Sequence, residues 1–532
     1  MARITLIDVL DDGNADDCEN LGQASIAAVL RRAGYRVDLV CLSVSEARAG
    51  IDPGAYDIIG YSIYPNTADA VQDLARAAKL ADPGVWICVG GQLATAAARQ
   101  ILDDCAAIDA CLLGEAEETM LTLARAHAER GAIDALPAVA TRTGPPKQIA
   151  RAASGSDVWP VRDLYELSRQ RGNPTARMNT SRGCVANCEF CAVNGFSNAA
   201  SRAGTSLPRW RGRDAEDIYA EIRALVEVHG VRSFVFNDAS FEDAGQTGRR
   251  RVQRLCELIT ESGVPLAFRC SMRAENVCRH GDVLFPAMRR AGFSNVFVGV
   301  ESGSNDDLRS FAKIATVSEN RRALQIAAAH DIDVTIGFIM FQPESTAAAL
   351  RASCRLLAAS GADKTAHYIS VVDVYFGTPM HHRLARDGRL TADFSYKNPF
   401  GYAFADCDVA ALSAGLAPLR DHPRLRRIDG QLYHLGYTLS ALRALFGDSA
   451  RPVVDRYATI RGAVAEELAG FFTPVFDELQ PPGGTATAAF LQRMSALGAD
   501  LGRLGGRVRV SPNFAPFFGG VAIRASPQSV SA

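Results

Sequence analysis

Features that would place a protein at a membrane, on a nucleic acid or outside the cell are missing from this sequence. Lysine and arginine number 57 and aspartate and glutamate 59, so a formal net charge of −2 gives no electrostatic case for binding nucleic acid or an anionic membrane. No apolar run approaches the roughly 20 residues that a membrane-spanning helix needs. The first residues also lack a basic segment followed by an apolar one. We therefore expect a cytoplasmic protein with no membrane partner and no nucleic-acid partner.

The thirteen cysteines are not expected to form a disulfide framework, because no secretion signal accompanies them. Most of them are expected to be small buried hydrophobic residues. Three others, Cys184, Cys188 and Cys191, stand in one short run with the spacing CxxxCxxC. No fourth cysteine or histidine lies close to them, since the nearest histidine is His229. This run is the most informative feature of the chain.

Three thiolates in one loop can bind three corners of a [4Fe–4S] cube and leave the fourth iron open, whereas an electron-transfer cluster has four cysteine ligands. An open coordination position is typical of a catalytic site. A structural zinc site usually takes four ligands at short spacings and would need a remote ligand here. A redox disulfide would need only Cys188 and Cys191 and would leave Cys184 unexplained. The spacing therefore favours a catalytic iron–sulfur cluster.

The length of 532 residues predicts about three domains. Residues 1–145 alternate short apolar runs with helical patterns, which predicts a Rossmann-like α/β domain with a parallel sheet. Residues 146–175 are rich in Arg, Pro, Ser and Gly and are predicted to be a linker. Six apolar runs in residues 176–385 predict a partial (β/α)6 barrel, with its chemistry at the carboxyl ends of the strands. Residues 386–532 are predicted to form a mostly helical domain.

The last of the six predicted strands spans residues 367–374. Alternation with period two would place His367, Asp373 and Tyr375 on one face of this strand, where they would line the cavity. They are candidates for catalytic residues that face the substrate. A polar strand end would show the same pattern, so the sequence assigns no role to any of them.

The cysteine run, with Phe190 just before its third cysteine and on a predicted (β/α) barrel, resembles the radical S-adenosylmethionine (SAM) superfamily. Residues 236–241 and 299–304 are similar to the acidic strand-end segment and the fourth-strand signature of that superfamily. The turn Gly377-Thr378-Pro379 is similar to its last turn, except that Phe376 replaces the first proline.

The resemblance to this superfamily implies that Cys184, Cys188 and Cys191 bind a [4Fe–4S] cluster whose open iron takes the amino and carboxylate groups of SAM. It also implies SAM contacts from four further residues. Phe190 would support the adenine, and Asp238, Arg273 and Glu301 would fix the ribose, the ammonium or the carboxylate. A structural ion pair is the alternative for each charged residue.

The first domain carries a second resemblance, to the cobalamin-binding domain of cobalamin-dependent radical SAM enzymes. It rests on the run Gly90-Gly91-Gln92-Leu93-Ala94-Thr95 and on the run from Leu113 to Thr119. The cobalamin contacts that it implies are Ser62, Tyr64, Asn66, Gly90, Gly91, Gln92, Thr95, Gly114 and Glu115. The motif DxHxxG is absent, which implies cobalamin without a histidine on cobalt. Residues 64–66 are the candidate for its lower face, with an ordinary strand-to-helix turn as the alternative.

Together the resemblances imply a cobalamin-dependent radical SAM C-methyltransferase of class B. One SAM molecule would methylate the cobalamin. A second would yield a 5′-deoxyadenosyl radical that takes a hydrogen atom from an unactivated substrate carbon, which then receives the methyl group of methylcobalamin. We expect a small-molecule or peptide substrate, a secondary metabolite in particular, and an electron donor such as ferredoxin or flavodoxin.

Three other functions remain open on the sequence alone. The first is a cyclase or ring-rearranging enzyme that uses both cofactors. The second is a radical SAM enzyme whose first domain no longer uses cobalamin. The third is a cobalamin or iron–sulfur sensor with no catalytic activity, which the open three-cysteine geometry disfavours because a sensor gains nothing from an iron that binds SAM.

Overall fold

The computed structural model of the chain describes residues 2–12, 17–49, 56–144, 149–150, 158–196, 208–242 and 245–518. The strands are β1 (Arg3–Leu10), β2 (Arg36–Ser43), β3 (Ile58–Ser62), β4 (Trp86–Gly90), β5 (Ala110–Leu112), β6 (Val139–Ala140), β7 (Thr175–Met178), β8 (Ser181–Arg182), β9 (Arg211–Gly212), β10 (Ser233–Phe236), β11 (Ala267–Arg273), β12 (Phe293–Glu301) and β13 (Asp333–Phe338). The α-helices are α1 (Leu21–Arg32), α2 (Val44–Ala49), α3 (Ala68–Ala81), α4 (Gln92–Asp104), α5 (Glu117–Ala128), α6 (Asp163–Gln170), α7 (Ala192–Phe196), α8 (Ala215–His229), α9 (Gln246–Glu261), α10 (Ala274–Arg290), α11 (Asn305–Ser310), α12 (Val317–Ala329), α13 (Ala347–Ala359), α14 (Thr365–Ile369), α15 (Pro379–Arg386), α16 (Cys407–Arg420), α17 (Pro423–Phe446), α18 (Arg451–Glu478) and α19 (Gly484–Val510).

The first sheet has the strand order β2-β1-β3-β4-β5-β6. Strands β1 to β5 pair in parallel, and β6 pairs antiparallel with β5. The strand β1 is buried from Ile4 to Val9 without alternation, as expected for a parallel strand that is covered on both faces. The α/β architecture predicted for the first domain is confirmed.

The second sheet is parallel throughout and has the strand order β13-β12-β11-β10-β7. One face packs against α8, α9, α10 and α12 in the main hydrophobic core, where the ring of Phe268 stacks on Phe234 and Phe293. The other face contacts α17 at β11 and β12. There the guanidinium carbon of Arg269 lies 3.5 Å from the centroid of the Tyr437 ring. The partial barrel is therefore closed on one side by the carboxyl-terminal helices.

The sixth barrel strand predicted over residues 367–374 is wrong. Helix α14 occupies the start of that stretch, and only an isolated bridge from Val371 to Phe341 remains where a sixth strand would pair. The five-stranded sheet with this bridge still forms the partial α/β barrel that the sequence predicted.

The cause of this error is a contact with a distant part of the chain. The carboxylate of Asp429 on α17 accepts hydrogen bonds from the backbone amides of Thr365 (2.9 Å) and Ala366 (2.8 Å), and this satisfies the first turn of α14. On α14 the His367 imidazole donates to the carbonyl of Ile336 at 3.2 Å. Burial lowers the pKa of His367 to about 4. The predicted strand face that would group His367 with the other two candidates therefore does not exist.

The carboxyl-terminal region is helical from α16 to α19, as predicted. Aromatic rings join its helices to each other and to the barrel. The rings of Phe471 on α18 and Phe490 on α19 stack 4.0 Å apart, and the ring of Phe472 stacks on Tyr368 of α14 at 4.9 Å. No helix among the described residues is both long enough and apolar enough to cross a membrane.

The chain returns to the first domain after the barrel. The hydroxyl of Tyr396 accepts a hydrogen bond from Gln72 (2.7 Å) on α3 and donates one to Asp104 (2.8 Å) at the end of α4. The ammonium of Lys397 lies 2.7 Å from the carboxylate of Asp69. These contacts attach the segment after the barrel to the outer helices of the first sheet.

The stretch predicted as a linker contains the helix α6, although residues 145–148 and 151–157 lie outside the described part of the chain. The guanidinium of Arg162, just before α6, donates to Glu19 of the first domain (2.8 Å) and to Glu221 of the barrel helix α8. Asp163 forms two hydrogen bonds of 2.9 Å with Arg31 on α1. This part of the predicted linker is therefore packed structure that ties the two sheets together.

Candidate active site

Loops from both sheets line one cleft with a volume of about 650 Å³. The first domain contributes residues at or just after the carboxyl ends of β3, β4 and β5, which include Ser62, Tyr64, Gly90, Gly91 and Glu115. The barrel contributes residues after β7 and β10 and from the turn before α15, which include Asn179, Arg182, Gly183, Asn237 and Tyr375. Ligands of parallel α/β sheets bind beyond the carboxyl ends of the strands, and the two sheets present these ends to the same space.

Eight of the nine residues predicted to contact cobalamin line this cleft: Ser62, Tyr64, Asn66, Gly90, Gly91, Gln92, Gly114 and Glu115. The ninth, Thr95, is not in the cleft lining and instead forms hydrogen bonds with two of the loops that line it. Its hydroxyl donates to the carbonyl of Gly91 at 2.9 Å and accepts from the amide of Gly114 at 2.9 Å. Thr95 thus holds the two glycine-containing loops together, and the contacts predicted for all nine residues with the cofactor stay predictions.

The floor of the cleft also carries the side-chain amides of Asn20 and Gln23, for which the sequence analysis predicted no contact. The side-chain amide of Asn20 donates to Ser62 (3.1 Å) and Tyr64 (3.2 Å), and that of Gln23 also donates to Ser62 (3.1 Å). Asn20 caps α1, and its position just before a helical pattern was the available signal. Among the described residues, the buried Oε1 atom of Gln23 and the hydroxyl of Tyr61 have no hydrogen-bond partner.

These features fit cobalamin, a large ligand with many amide side chains. Unpartnered buried polar atoms require a hydrogen-bond partner, and the cleft offers both an acceptor and a hydroxyl. Gly90 and Gly91 leave room for a close approach, because a Cβ atom at either position would meet nothing within 4 Å. Gly91 also has a φ of +104°, which favours glycine.

Next to this floor lies the carboxyl group of Asp8, near the carboxyl end of β1. Burial raises the pKa of Asp8 to about 6, and hydrogen bonds with Asn20 and Tyr64 oppose that shift. The sequence placed Asp8 in a segment expected at the ligand side of the sheet but predicted no role for it, because an aspartate within a buried strand gives no local signal of its neighbours.

The three cysteines of the CxxxCxxC run lie in the loop after β8, on the barrel side of the cleft. Burial raises the pKa of all three thiols, that of Cys188 to about 12, and the ammonium of Lys313 opposes the shift. Among the described residues no three His, Cys, Asp or Glu side chains converge on a position for a single metal ion. The donor set fits a [4Fe–4S] cluster, in which each thiolate binds a different iron.

The carboxylate of Asp238 holds the backbone that leads into this loop. It accepts hydrogen bonds from the amides of Thr180 (2.8 Å) and Ser181 (2.9 Å) and from the hydroxyl of Thr180. Burial raises the pKa of Asp238, and these hydrogen bonds oppose that shift. The predicted contact of Asp238 with SAM stays a prediction, because the described partners of this carboxylate belong to the cysteine loop.

Two other residues predicted to contact SAM lie near the cysteines. The ring of Phe190 packs edge-to-face with Phe311 at 5.2 Å. Glu301 has a φ of +65°, which is unusual for a residue with a side chain, and its carboxylate accepts from Lys313 at 3.3 Å. Because Lys313 also acts on the Cys188 thiol, Glu301 belongs to the surroundings of the predicted cluster.

The fourth predicted SAM residue, Arg273, lies in a buried ionic group. Its guanidinium is 2.9 Å from Glu275, and its backbone amide donates to Glu242 at 3.1 Å. Burial raises the pKa of Glu242 to about 7, and the charge of Arg273 opposes that shift. This ion pair is the structural alternative that the sequence analysis left open for Arg273.

Tyr375 and Asp373 form a hydrogen-bonded pair at the edge of the cleft. The Tyr375 hydroxyl donates to the Asp373 carboxylate at 2.9 Å. Tyr375 lines the cleft, and Asp373 lines a separate cavity of about 300 Å³ beneath the carboxyl-terminal helices. Burial raises the pKa of both groups. Two of the three predicted catalytic candidates are thus neighbours, and His367 is not in the cleft lining.

Comparison with known proteins agrees with a cleft that has a cobalamin side in the first domain and a cysteine-loop side in the barrel. Residues 13–124 match the family model of the B12 binding domain, and residues 178–357 match that of the radical SAM superfamily. The hopanoid C-3 methylase of Methylococcus capsulatus is 29% identical over 60% of this chain and 61% of its own length. The anaerobic magnesium-protoporphyrin IX monomethyl ester cyclase of Rubrivivax gelatinosus is 25% identical over 63% of this chain and 60% of its own length. The chain thus spans about 60% of the length of these two relatives.

A solved structure of similar fold is that of OxsB, a cobalamin-dependent S-adenosylmethionine radical enzyme, with aqua-cobalamin and S-adenosylmethionine bound. It superposes with a TM-score of 0.71, covers 99% of this chain and 82% of its own, and is 16% identical. The two matched domains and their order identify the chain as one that joins a B12 binding domain to a radical SAM domain, and the residues of their common cleft fit cobalamin, SAM and a [4Fe–4S] cluster.

Proposed function

We propose that this protein is a methyltransferase that moves a methyl group from SAM, by way of cobalamin, to an unactivated carbon of a small molecule of secondary metabolism. The observation that carries the proposal is the single cleft that the cobalamin-side loops share with the cysteine loop. Relatives named as methylases support the reaction class, among them the hopanoid C-3 methylase of Methylococcus capsulatus.

When bound, the cofactors supply a carbon-centred radical and a transferable methyl group; the protein supplies binding, orientation and shielding. Cys184, Cys188 and Cys191 would bind the cluster, and the loops after β3, β4 and β5 would bind cobalamin. Phe190 would pack against the adenine of SAM. The ammonium of Lys313 stays beside Cys188, where a positive charge stabilises the negative charge of thiolate ligands.

The edge of the cleft is where a substrate would meet both cofactors. Tyr375 presents a phenol there and keeps its proton directed at Asp373. Burial keeps this phenol protonated by raising its pKa. A substrate held against Tyr375 would be oriented by its hydroxyl and shielded from bulk water, which limits reactions of a radical with other partners.

A cyclase or ring-rearranging reaction that uses the same cofactors is the second candidate. The relative from Rubrivivax gelatinosus, which is named as a cyclase, favours it. The alternative in which the first domain no longer uses cobalamin is disfavoured by the match to the B12 binding domain. A sensor with no catalytic activity is disfavoured by the named enzymes among the relatives.

Anaerobic reconstitution followed by incubation with methyl-labelled SAM and a reductant tests the proposal. We expect label in the bound corrinoid and both S-adenosylhomocysteine and 5′-deoxyadenosine in solution. 5′-Deoxyadenosine without S-adenosylhomocysteine would favour the cyclase. A protein that retains no corrinoid after reconstitution would contradict the methyltransferase proposal.

A further inference from the structure

Two arginines face each other in the short ribbon that leads into the cysteine loop. Strand β8 pairs antiparallel with β9, and the register places Arg182 opposite Arg211. Arg182 is separated from the first predicted cluster ligand, Cys184, by Gly183 alone. Like charges directly opposite each other in an antiparallel pair are destabilising. A two-residue ribbon of this kind therefore needs negative charge from elsewhere.

The first domain supplies this negative charge. The Glu115 carboxylate accepts a hydrogen bond from Arg211 through one oxygen, and its other oxygen lies 3.4 Å from the Arg182 guanidinium. The Glu117 carboxylate, at the start of α5, lies 2.5 Å from the same Arg182 guanidinium. Two carboxylates of the cobalamin-binding domain thus offset two guanidiniums of the cysteine ribbon. We name these four side chains the charge bridge.

The charge bridge is shielded from solvent. The side chain of Arg211 is 1% exposed and that of Glu115 is 5% exposed, while those of Glu117 and Arg182 are 10% and 23% exposed. Removal of one partner from a buried group of charges leaves the remaining charges uncompensated. The ribbon therefore depends on the carboxylates of the other domain for its own conformation.

The same side chains form part of the wall of the cleft. Glu115, Glu117 and Arg182 line it together with Gly183. The sequence predicted Glu115 as a cobalamin contact, and the structure shows both of its carboxylate oxygens engaged with the ribbon. One residue thus joins the wall predicted for cobalamin to the strand that carries the predicted cluster ligands.

We propose that Glu115, Glu117, Arg182 and Arg211 are positioning residues that set the distance and orientation of the iron–sulfur cluster relative to cobalamin. This inference rests on the proposed function only in that both cofactors occupy the same cleft. The charge bridge touches no reacting atom; it acts through the backbone of β8 and the loop that follows.

Magnetic interaction between the two metal centres tests the inference without turnover. The holoenzyme would be prepared with Co(II) cobalamin and a reduced cluster, and the splitting of the cobalt signal in electron paramagnetic resonance would be recorded. Glu115→Gln keeps the shape of the side chain and removes its charge. We expect this variant to change or broaden the splitting while it still contains the full amount of iron and corrinoid. Arg182→Lys should change it less than Arg182→Gln, because the charge remains.

Two further measurements complete the design. Arg223→Gln removes an exposed ionic contact within helix α8, that with Glu227 at 3.7 Å, away from the cleft lining, and should leave the splitting unchanged. If Glu115→Gln fails to retain both cofactors, the splitting is not measurable. Hydrogen exchange of the backbone amides of residues 181–184 is then measured in the cofactor-free protein. We expect this exchange to be at least tenfold faster in Glu117→Gln than in the unmodified protein.

The inference is overturned if Glu115→Gln and Glu117→Gln show both the splitting and the exchange rates of the unmodified protein. Failure of the proposed function would look different. The unmodified holoenzyme would transfer no methyl group to cobalamin, while the magnetic interaction would still respond to Glu115→Gln.

Discussion

The ammonium of Lys313 lies 3.3 Å from the carboxylate of Glu301 and also donates to the carbonyl of Gly299 at 3.2 Å. Burial is the largest single influence on Lys313 and lowers its pKa, but the charges of Glu301, Cys188 and Glu275 act in the opposite direction and together raise the pKa of this lysine. A permanent positive charge is thereby held beside a predicted cluster ligand. An iron–sulfur cluster gains negative charge on reduction, so this lysine should make reduction easier.

Lys313→Met, which removes the positive charge and leaves the carboxylate of Glu301 in place, should make the cluster harder to reduce. The expected change in midpoint potential is on the order of 60 mV, which is a tenfold change in the reduction equilibrium. A redox titration followed by paramagnetic resonance measures it. The control is Arg309→Gln on α11, whose ion pair with Asp306 is exposed. An unchanged potential in Lys313→Met would refute the role of Lys313.

The cluster assignment itself is tested by a pair of cysteine variants. Cys188→Ala should abolish the iron–sulfur absorbance and the cleavage of SAM, because it removes one of three ligands. Cys270→Ala, which removes a fully buried thiol on β11, should keep both and lose only stability, by about 1–2 kcal/mol. Retention of SAM cleavage in Cys188→Ala would contradict the assignment.

Asp238→Asn should weaken the anchorage of the cysteine loop. The amide that replaces the carboxylate cannot accept all three hydrogen bonds from Thr180 and Ser181. We expect a loss of about 1–3 kcal/mol in the free energy of unfolding and a lower iron content after reconstitution. Urea denaturation and iron analysis measure these two effects. Asp306→Asn on the surface is the control, and equal iron content in Asp238→Asn and Asp306→Asn would argue against this anchorage.

Asp8 should make the stability of the cofactor-free protein depend on pH. Its pKa is raised by burial to about 6, from an ordinary value of 3.8. The native state therefore keeps the proton longer than the unfolded state, and stability falls as the pH rises from about 4 to about 6. Asp8→Asn lacks this penalty, so between pH 4 and pH 7.5 it should gain about 2 kcal/mol relative to the unmodified protein.

Chemical denaturation of both proteins at the two pH values measures this difference, since the other titrating groups are common to both and cancel. A difference that does not change with pH would show that Asp8 has an ordinary pKa in the native state.

The sequence was sufficient to predict those features that depend only on residues close together along the chain. The spacing of Cys184, Cys188 and Cys191 and the glycine pair after β4 both lie in a few consecutive residues, and both line or adjoin the cleft. The parallel sheet of the first domain followed from repeated apolar runs, which burial on both faces requires.

Contacts between distant residues account for what the sequence did not reveal. Asp429 caps α14 from another helix and so removes the predicted sixth strand. Asp238 is occupied by backbone amides of the preceding loop, and Glu115 by arginines of another domain. In each case the residue type indicated a charged hydrogen-bonding group, but its partner depends on how distant parts of the chain pack together.

The hydroxyl of Tyr396, held between α3 and α4, has a mechanical consequence. The first domain is fastened there and again near Arg162, at opposite ends of the barrel sequence. A body fastened at two separate points can turn only about the axis that joins them, and the charge bridge attaches it at a third point. The two SAM-dependent steps of the proposed reaction would then take place at one constant spacing between the cofactor sites, and the small molecules, rather than the domains, would have to move between the steps.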